Sequence, residues 1–453
     1  MPFADELHAF RERCAGRTVA GLLIPGSRQA VTAALLIGAL QPQRVAFFLT
    51  PDTLDLPDQA AALLNVSGAT WTRYTEDHTD ALQIYRSLRT TIEAWADLPR
   101  ERLAVDLTGG TKPMSVGLAK AAYVLGIPAL YIESNFGSDP SGRSVPIPGS
   151  QRLVVPPDPY AVFGDLEAAE AQRLFHAHDD PGAQRIYTDL ARRVPPPANM
   201  TYALYADLAR AYAAWDAFDL PLAERTLSDL VATNAPLRLE KPQIHEQAAA
   251  LTLLGSAARR AAGRDAQALA TLADPAAVLA LLGSLFANAR RREAQGRYDT
   301  AALLLYRCLE LIGQHRLATR GVLTEQPNFQ ELQRREPRLD VAYRAVEQQL
   351  GWRPRGLPHP NRNGTYAPIA LFNGYMLLAA LADPLVADFP IEQIRERSQA
   401  RNKSILAHGY RLITQHEYLP FASVVDTMLQ RLFTVLGRDR AAWEQTYTFV
   451  RLA

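Results

Sequence analysis

The hydrophobic pattern of the chain changes near residue 160, and that change limits the folds the chain can adopt. Before that point, short apolar segments alternate with helical segments. The apolar segments are 18–25, 44–51, 102–110 and 127–134, and 69–75 is a weaker candidate for a third strand. Short apolar strands separated by helices predict a parallel sheet covered on both faces. From residue 165 onward, alanine- and leucine-rich segments recur at helical spacing, so the predicted class is α/β followed by all-α.

The length of the chain and its proline-rich breaks predict more than one domain. At 453 residues the chain is too long for one ordinary hydrophobic core. The proline-rich segment 156–160 separates the two patterns, and 145–155 is predicted to form a small hairpin before it. Helical hairpins between about 165 and 290 loosely resemble tetratricopeptide pairs but lack a strict repeat, which favours an irregular helical connector. We predict domains at 1–157, 158–290 and 291–453.

The composition excludes several classes of protein. Lysine and arginine number 48 against 47 for aspartate and glutamate, so any nucleic acid must be bound by local clusters of positive charge. Cys14 and Cys308 lie far apart and form neither a redox motif nor a metal motif, and His, Asp and Glu form no convincing metal-binding cluster. The N-terminus lacks the apolar core of a signal sequence, and no uninterrupted apolar run is long enough to span a bilayer. These features favour a soluble cytoplasmic protein with no metal and no membrane contact.

The loop after the fourth predicted strand has the composition of a phosphate-binding turn. Its sequence, residues 106–114, is DLTGGTKPM. Gly109 and Gly110 permit a sharp turn, and Thr111 is suited to be the N-cap of the next helix. Free backbone N–H groups, threonine hydroxyls and a lysine ammonium would then be available to an anion. The spacing does not match a P-loop, and a purely structural turn with a surface lysine remains the alternative.

Small polar or cationic residues also follow the first two predicted strands. The carboxyl ends of parallel strands meet at one edge of a sheet, where ligands of such sheets bind. We therefore predict one anion-binding site at this edge. Its candidate residues are Gly26, Ser27, Arg28, Thr50, Thr108, Gly109, Gly110, Thr111, Lys112 and Met114.

A second candidate site lies late in the chain, in the segment RNKSILAHGY at 401–410. If the helical pattern continues through it, Arg401 and His408 project from one face, about 10 Å apart along the axis. That separation suits a groove whose other half comes from another helix or another copy of the chain. Asn402 has poor helix propensity, so it lowers stability without an evident packing gain. A salt-bridged surface arginine and a half-buried histidine remain the alternative.

An arginine and a histidine that face one groove are suited to RNA cleavage without a metal. Imidazole, with a pKa of about 6.5, can move protons at neutral pH. It can activate the ribose 2′-hydroxyl or protonate the departing 5′-oxygen. Arginine can bind the phosphate and stabilise the charge that grows on its oxygens. The products would be a 2′,3′-cyclic phosphate or 3′-phosphate and a 5′-hydroxyl.

The two motifs together resemble those of the CARF–HEPN proteins of type III CRISPR systems. CARF denotes the CRISPR-associated Rossmann fold, and HEPN denotes the higher eukaryote and prokaryote nucleotide-binding helical domain. The resemblance rests on the loop 106–114 in a Rossmann-like N-terminal domain and on RNKSILAHG in a C-terminal helical domain. The HEPN motif is an arginine, usually followed by a polar residue, with a histidine four to six residues further on. Arg401, Asn402 and His408 match it.

The resemblance implies a ribonuclease that a cyclic oligoadenylate second messenger activates. It implies a homodimer with two composite sites, in which the CARF domains bind the messenger and the HEPN domains cut single-stranded RNA, with no cofactor. The helix that begins at Tyr298 looks like the first HEPN helix, whose glutamate, here Glu310, is expected to hold Arg401 in place. Two alternatives remain open. The chain could be a messenger sensor or regulator without nuclease activity, or its CARF domain could also degrade the messenger at Thr50, Thr108 and Thr111.

Overall fold

A computed structural model describes the chain except for residues 76, 78, 79, 139–141, 143, 234–240, 264, 408 and 453. Two compact units make up the protein, residues 1–161 and 162–453. The first unit is built on a sheet with helices on both faces, and the second consists of helices. The predicted combination of an α/β region and an all-α region is confirmed.

The main sheet of the first unit has six strands in the order β3-β2-β1-β4-β5-β8. Its first five strands are parallel, and β8 runs antiparallel to β5. The strands are β1 Gly21–Pro25, β2 Arg44–Leu49, β3 Thr72–Thr75, β4 Leu103–Asp106, β5 Ala129–Glu133, β6 Phe136–Ser138, β7 Ser144–Pro146 and β8 Arg152–Val154. The helices that begin in this unit are α1 Phe3–Arg13, α2 Ala30–Leu40, α3 Leu56–Leu64, α4 Ala81–Ala94, α5 Lys112–Leu125 and α6 Pro159–Phe163.

Each face of this sheet carries its own hydrophobic core. Leu22 and Ile24 of β1 pack with residues of α1, α2 and α3, whereas Leu23 packs with residues of α4 and α5. Successive side chains of a strand point to opposite faces, so a strand buried on both sides reads as an unbroken apolar run. That property made β1, β2 and β4 recognisable in the sequence.

The prediction of a hairpin at 145–155 is wrong, because the two strands in this segment do not pair with each other. β7 pairs with β6 in a separate two-stranded ribbon, whereas β8 joins the main sheet beside β5. Leu153 of β8 packs against the core that includes Ile132, and Arg152 forms an ion pair with Glu133 across the two strands. An added antiparallel strand covers the edge that β5 would otherwise expose, and this long-range pairing has no local sequence signal.

The second unit consists of helices packed around two hydrophobic cores. Its helices are α7 Asp165–His176, α8 Asp180–Arg193, α9 Ala198–Asp216, α10 Leu220–Ala232, α11 Lys241–Ala261, α12 Asp265–Ala273, α13 Pro275–Ala294, α14 Tyr298–Ala318, α15 Phe329–Arg335, α16 Leu339–Gln349, α17 Leu371–Ala380, α18 Glu392–Asn402, α19 Gln415–Leu436 and α20 Arg440–Tyr447. One core contains residues of α8, α9 and α10. Near the C-terminus the chain packs against this core, where Phe449 stacks on Tyr212 with ring centroids 3.8 Å apart.

α19 is the one described helix that is long and apolar enough, by length and composition, to cross a membrane. Its residues Tyr418, Phe421, Val425 and Leu432 are buried in the core shared with α14 and α17. Packing inside the unit therefore accounts for its apolar character. Polar residues interrupt the helix, so it contains no long uninterrupted apolar run.

Candidate functional site

A cleft of about 950 Å³ lies at the carboxyl ends of β1 and β4. These strands are neighbours at the point where the strand order reverses, which is where ligands of open parallel sheets bind. Eight of the ten residues predicted for the first site line this cleft. They are Gly26, Ser27, Arg28, Thr50, Thr108, Gly109, Gly110 and Thr111.

Two glycines allow the β1 and β4 loops to approach each other closely. A Cβ atom at Gly109 would lie 3.0 Å from Cβ of Ser27 and 3.2 Å from the carbonyl oxygen of Pro25. Gly110 has a φ of +82°, a conformation that residues with a side chain rarely adopt. The predicted sharp turn is therefore present, and it leaves backbone rather than side chains at this part of the cleft.

Helix α5 begins directly beside the cleft. Thr111 is its N-cap, and the Thr111 hydroxyl oxygen accepts a hydrogen bond from the Met114 N–H at 3.5 Å. Pro113 lies in the first turn, where its missing N–H group has no intrahelical partner to lose. The first turn of a helix carries free N–H groups and a partial positive charge, which favours an anionic ligand.

The buried carboxylate of Asp106, at the end of β4, holds the loop that follows this strand. Asp106 accepts a hydrogen bond from the Thr108 N–H at 2.8 Å. Burial raises the pKa of this carboxyl group to about 6, and hydrogen bonds from Thr108 and Gly109 partly offset that rise. The Thr108 hydroxyl oxygen accepts the Ile132 N–H at 2.7 Å and so connects the ends of β4 and β5.

Thr50 also takes part in local structure at the cleft. Its hydroxyl lies 3.1 Å from the Thr53 hydroxyl, and its N–H donates to the Thr53 hydroxyl oxygen at 2.9 Å. Both groups belong to a capping box that begins the short helical turn after β2. The hydroxyls of Thr50 and Thr108 therefore stabilise the two loops that border the cleft.

Two of the predicted residues do not line the cleft. Met114 is fully buried and packs in the core with Leu118, because the inner side of the first turn of α5 faces the sheet. Lys112 is exposed at the start of α5, outside the residues that surround the cleft. Other elements contribute further residues to the cleft that were not predicted from the sequence. These include Asp52, Gln59, Tyr131, Phe136 and Gln151.

Charge and aromatic surface both contribute to this cleft. Arg28 and Asp52 form an exposed ion pair at 3.5 Å, so Arg28 is only partly neutralised by a carboxylate that solvent screens. Tyr131 lies on an exposed position of β5, where buried and exposed residues alternate. That alternation is the signal that could have identified Tyr131 as a cleft residue, because an exposed aromatic residue near a strand end is available to stack on a ligand.

The second candidate site differs from the sequence prediction. Helix α18 ends at Asn402, so the expected helix through residue 410 is wrong, and so is the argument that Arg401 and His408 share a helical face. After Lys403 the chain folds back, and the Arg411 N–H donates to the Lys403 carbonyl oxygen at 3.2 Å. The backbone of Gly409 packs directly against Lys403, where a Cβ atom would overlap it. His408 lies outside the described residues.

Arg401 is held by an aromatic ring of the neighbouring helix α14. Its guanidinium carbon lies 3.9 Å from the ring centroid of Tyr306, and its Nη1 donates to Oδ1 of Asn402 at 3.2 Å. Its Nε is buried and has no hydrogen-bond partner among the described residues. A buried donor without a partner lowers stability unless a ligand or water satisfies it. The arrangement therefore suits the binding of an anion by this guanidinium.

The expected ion pair between Glu310 and Arg401 is not formed. Glu310 instead pairs with Arg307 at 3.3 Å on its own helix, α14. Tyr306, one turn before Glu310 on the same side of α14, supports Arg401 in its place. An arginine can stack on an aromatic face as well as pair with a carboxylate, and here the aromatic contact replaces the expected ion pair.

Comparison with known proteins covers most of the chain. The family model for the Csm6 6H domain matches residues 163–253, and the model for the Csm6 HEPN domain matches residues 270–432. The CRISPR system endoribonuclease Csm6 of Thermus thermophilus is 27% identical over 378 residues, which are 78% of this chain and 73% of that protein. The chain belongs to the Csm6 family. The predicted CARF–HEPN class and the predicted class of enzyme, a CRISPR endoribonuclease, are confirmed.

Two solved structures also align with this Csm6 protein. Enterococcus italicus Csm6 bound to cyclic hexa-2′-fluoro-hexa-dAMP aligns with a TM-score of 0.49 and 11% identity, over 95% of this chain and 97% of that one. Can2 from Sulfobacillus thermosulfidooxidans in complex with cyclic tetra-adenylate aligns with a TM-score of 0.23 and 17% identity, over 42% of this chain and 50% of that one. The HEPN match includes Tyr306, Glu310, Arg401, Asn402 and His408.

The loop after α18 and the start of α19 expose several apolar side chains. Tyr410 is 95% exposed, and its neighbours in the group are more than two-fifths exposed. The group consists of Ile405, Leu406, Tyr410, Leu412 and Leu419. A contiguous exposed apolar surface often marks a protein–protein interface. In this Csm6 chain the surface adjoins the segment that contains the HEPN motif.

Proposed function

We propose that this Csm6 protein is a metal-independent endoribonuclease that cuts single-stranded RNA when a cyclic oligoadenylate binds its N-terminal cleft. The main support for the proposal is the environment of the Arg401 side chain. Its guanidinium is stacked on Tyr306, its buried Nε lacks a partner among the described residues, and it opens the motif completed by His408 within the HEPN match.

The proposed reaction uses the RNA's own 2′-hydroxyl as the nucleophile. His408 takes the proton from that hydroxyl or gives a proton to the departing 5′-oxygen, as imidazole can do near neutral pH. The 2′-oxygen forms a bond to phosphorus, and the bond from phosphorus to the 5′-oxygen breaks. The products are a 2′,3′-cyclic phosphate and a 5′-hydroxyl. Since the nucleophile belongs to the substrate, no metal-bound water is needed to supply it.

Arg401 is proposed to bind the phosphate that is being cut. A guanidinium can donate two parallel hydrogen bonds to phosphate oxygens and stabilise the negative charge that grows on them. Tyr306 limits the guanidinium to one orientation, which reduces the entropy lost when phosphate binds. Asn402 accepts a hydrogen bond from Nη1 of Arg401, so its proposed role is to orient the same group.

The messenger is proposed to bind in the cleft at the ends of β1 and β4. Three features favour an anionic nucleotide there: the start of α5, the glycine turn and Arg28. A cyclic oligoadenylate repeats one anionic unit around a ring, so a two-fold dimer can present the same loop twice. The Csm6 of Enterococcus italicus, whose structure contains a cyclic hexa-adenylate analogue, provides a precedent for the ligand class.

A homodimer is proposed to complete the ribonuclease groove. The apolar side chains that include Leu406, Tyr410 and Leu412 are too exposed for a surface that always faces water. Contact between two copies of this loop would cover them and bring two HEPN motifs together. We propose that this dimer functions in the cytoplasm.

One experiment separates this proposal from the alternative of a sensor without nuclease activity. The purified protein is incubated with end-labelled single-stranded RNA, alone and with cyclic tetra-adenylate or cyclic hexa-adenylate, and its thermal stability is measured in the same mixtures. The proposal expects one ring to raise the melting temperature and also to accelerate cleavage. Thermal stabilisation by a ring without any cleavage would support the sensor instead.

A further inference from the structure

The loop between α16 and α17, residues 351–370, is rich in arginine and contains no acidic residue. No aspartate or glutamate occurs between Glu347 and Asp383. The cations of the loop are Arg353, Arg355 and Arg362, and all three side chains are exposed. In a chain whose formal net charge is +1, this is a local concentration of positive charge. We call residues 351–370 the arginine loop.

The backbone of the arginine loop is fixed by carboxylates of α16. Glu347 is 6% exposed, and its carboxylate accepts the N–H groups of Arg355 at 2.7 Å and Gly356 at 2.8 Å. Asp340 accepts the N–H of Leu357 at 2.8 Å. These acidic groups are therefore used to hold the loop backbone, and their hydrogen bonds give the loop a defined shape.

The tip of the arginine loop is fixed in a similar way. The side-chain oxygen of Asn361 accepts the N–H groups of Asn363 at 3.1 Å and Thr365 at 3.0 Å. Arg362 lies inside this turn, and its side chain takes no part in the hydrogen bonds that close it. The hydrogen bonds that hold the loop are donated by its backbone N–H groups, so substitution of its arginine side chains leaves these bonds in place.

The arginines of the loop lack the ion pairs that neutralise other arginines of the same domain. Arg353, Arg355 and Arg362 form no ion pair with any described residue. By contrast, Arg334 and Arg335 of α15 both pair with Glu331, at 2.8 and 3.0 Å. Unpaired guanidinium groups on a fixed backbone are available to an external anion.

The base of the arginine loop contacts the helix that carries the HEPN arginine. The Trp352 ring lies 5.0 Å from the guanidinium carbon of Arg395 on α18, and 5.6 Å from the ring of Phe372. Arg401 follows Arg395 by six residues on the same helix, a rise of about 9 Å along the axis. The base of the loop therefore contacts α18 within two turns of Arg401.

We propose that the arginine loop binds phosphates of the RNA substrate away from the bond that is cut. This inference rests on the proposed ribonuclease function and extends it to a substrate class, single-stranded RNA longer than the cleaved dinucleotide. Arginine forms strong, charge-assisted hydrogen bonds with phosphate, and such contacts bind RNA regardless of sequence. The loop arginines increase affinity for the RNA backbone, whereas Arg401 and His408 act at the cut bond.

The test measures RNA binding as a function of salt. In a His408→Ala background, which prevents cleavage, fluorescence anisotropy gives the affinity for a labelled single-stranded RNA at several salt concentrations. The loop variant is Arg353→Ala/Arg362→Ala. The control variant is Arg334→Ala/Arg335→Ala, which removes the same charge from paired arginines of α15. Each lost phosphate contact lowers the slope of log affinity against log salt by about 0.7.

The inference expects the slope to fall by about 1.4 in the loop variant, with an affinity loss of about tenfold at moderate salt. The control variant keeps the parent's slope and affinity. Equal slopes in parent, loop variant and control would overturn the inference while leaving the ribonuclease proposal intact. If the loop variant binds RNA more weakly but the cleavage-competent protein never cuts RNA with messenger, the ribonuclease proposal fails and the loop remains an RNA-binding surface.

Discussion

The guanidinium of Arg401 lies over the ring of Tyr306, with 3.9 Å between its central carbon and the ring centroid. This contact joins the end of α18 to the middle of α14, the two helices that contribute candidate residues to the ribonuclease site. It holds the arginine by its flat face, so its donor groups remain directed to the side. That is the orientation in which a guanidinium can bind a phosphate.

Replacement of Tyr306 by leucine is expected to slow RNA cleavage, whereas replacement by phenylalanine is not. A cation–π contact contributes about 0.5–2 kcal/mol, so its loss corresponds to a rate reduction of about 2- to 30-fold. Phenylalanine keeps the aromatic face. Cleavage rates at saturating RNA and messenger decide the matter, with circular dichroism as the control for folding. Equal rates for leucine and phenylalanine would show that the ring does not position Arg401.

Gly109→Ala is expected to weaken messenger binding. A Cβ atom there would lie 3.0 Å from Cβ of Ser27, so the two loops that border the cleft would have to separate. Gly117→Ala on α5 is the matched control, because its Cβ would meet a movable methyl group of Ile84 at 3.3 Å. Calorimetric titration with the activating ring measures both. The account predicts lower affinity for Gly109→Ala alone, and unchanged affinity in both variants would argue against binding at this turn.

Lys112→Ala is expected to shift activation to a higher messenger concentration while leaving the maximum cleavage rate unchanged. The ammonium adds positive charge near the start of α5, but it is exposed, so solvent screens it and the shift is expected to be small. Lys120→Ala, an exposed lysine of the same helix, is the control. Activation curves for Lys112→Ala and Lys120→Ala that coincide would remove Lys112 from the site. A lower plateau with an unchanged midpoint would assign it to signal transmission.

Asp106 is expected to make the stability of the protein depend on pH. Burial raises its pKa from 3.8 to about 6, so between these values the folded state holds a proton that the unfolded state has released. Stability conferred by this group is therefore present below about pH 4 and is lost as pH rises to about 6. The loss is about 3 kcal/mol, at 1.36 kcal/mol for each pKa unit.

Asp106→Asn removes this titration. Urea unfolding of both full-length proteins between pH 4 and pH 7 gives the difference in their free energies of unfolding. The wild-type protein should lose stability relative to the variant up to about pH 6, and the difference should be constant above that. A difference that does not vary with pH would contradict a raised pKa for Asp106.

The parallel sheet was predictable from the sequence because its central strands β1, β2 and β4 are buried on both faces and appear as apolar runs. The cleft was predictable because parallel strands end at one edge, which brings Ser27, Thr50 and Gly109 together. Lys112 and Met114 do not line the cleft, because neighbouring residues on a helix point in different directions, and a role for Lys112 in messenger binding stays a prediction. Tyr131 was missed although buried and exposed residues alternate along β5, and Phe136 was missed because its position depends on the pairing of β6 with β7.

The ribonuclease segment was only partly predictable. The motif identified Arg401, Asn402 and His408, but helical spacing overstated the length of α18. Asn402 and Gly409 are both poor helix formers, and their occurrence in the segment was the available sign of a break. The contact with Tyr306 depends on how α14 and α18 pack, which local patterns do not determine. The arginine loop was also missed, because its role depends on a backbone held by distant carboxylates.

The most direct test of the account is the single-turnover rate of RNA cleavage in excess EDTA with saturating messenger, for wild type, His408→Ala and Arg401→Ala. Loss of a general acid–base group typically costs about 10²–10⁴ in rate. The account predicts full wild-type activity without metal, products with 5′-hydroxyl ends, and losses of this size in His408→Ala and nearly as large in Arg401→Ala. Wild-type rates in both variants, or no cleavage by wild type until magnesium or manganese is restored, would contradict it.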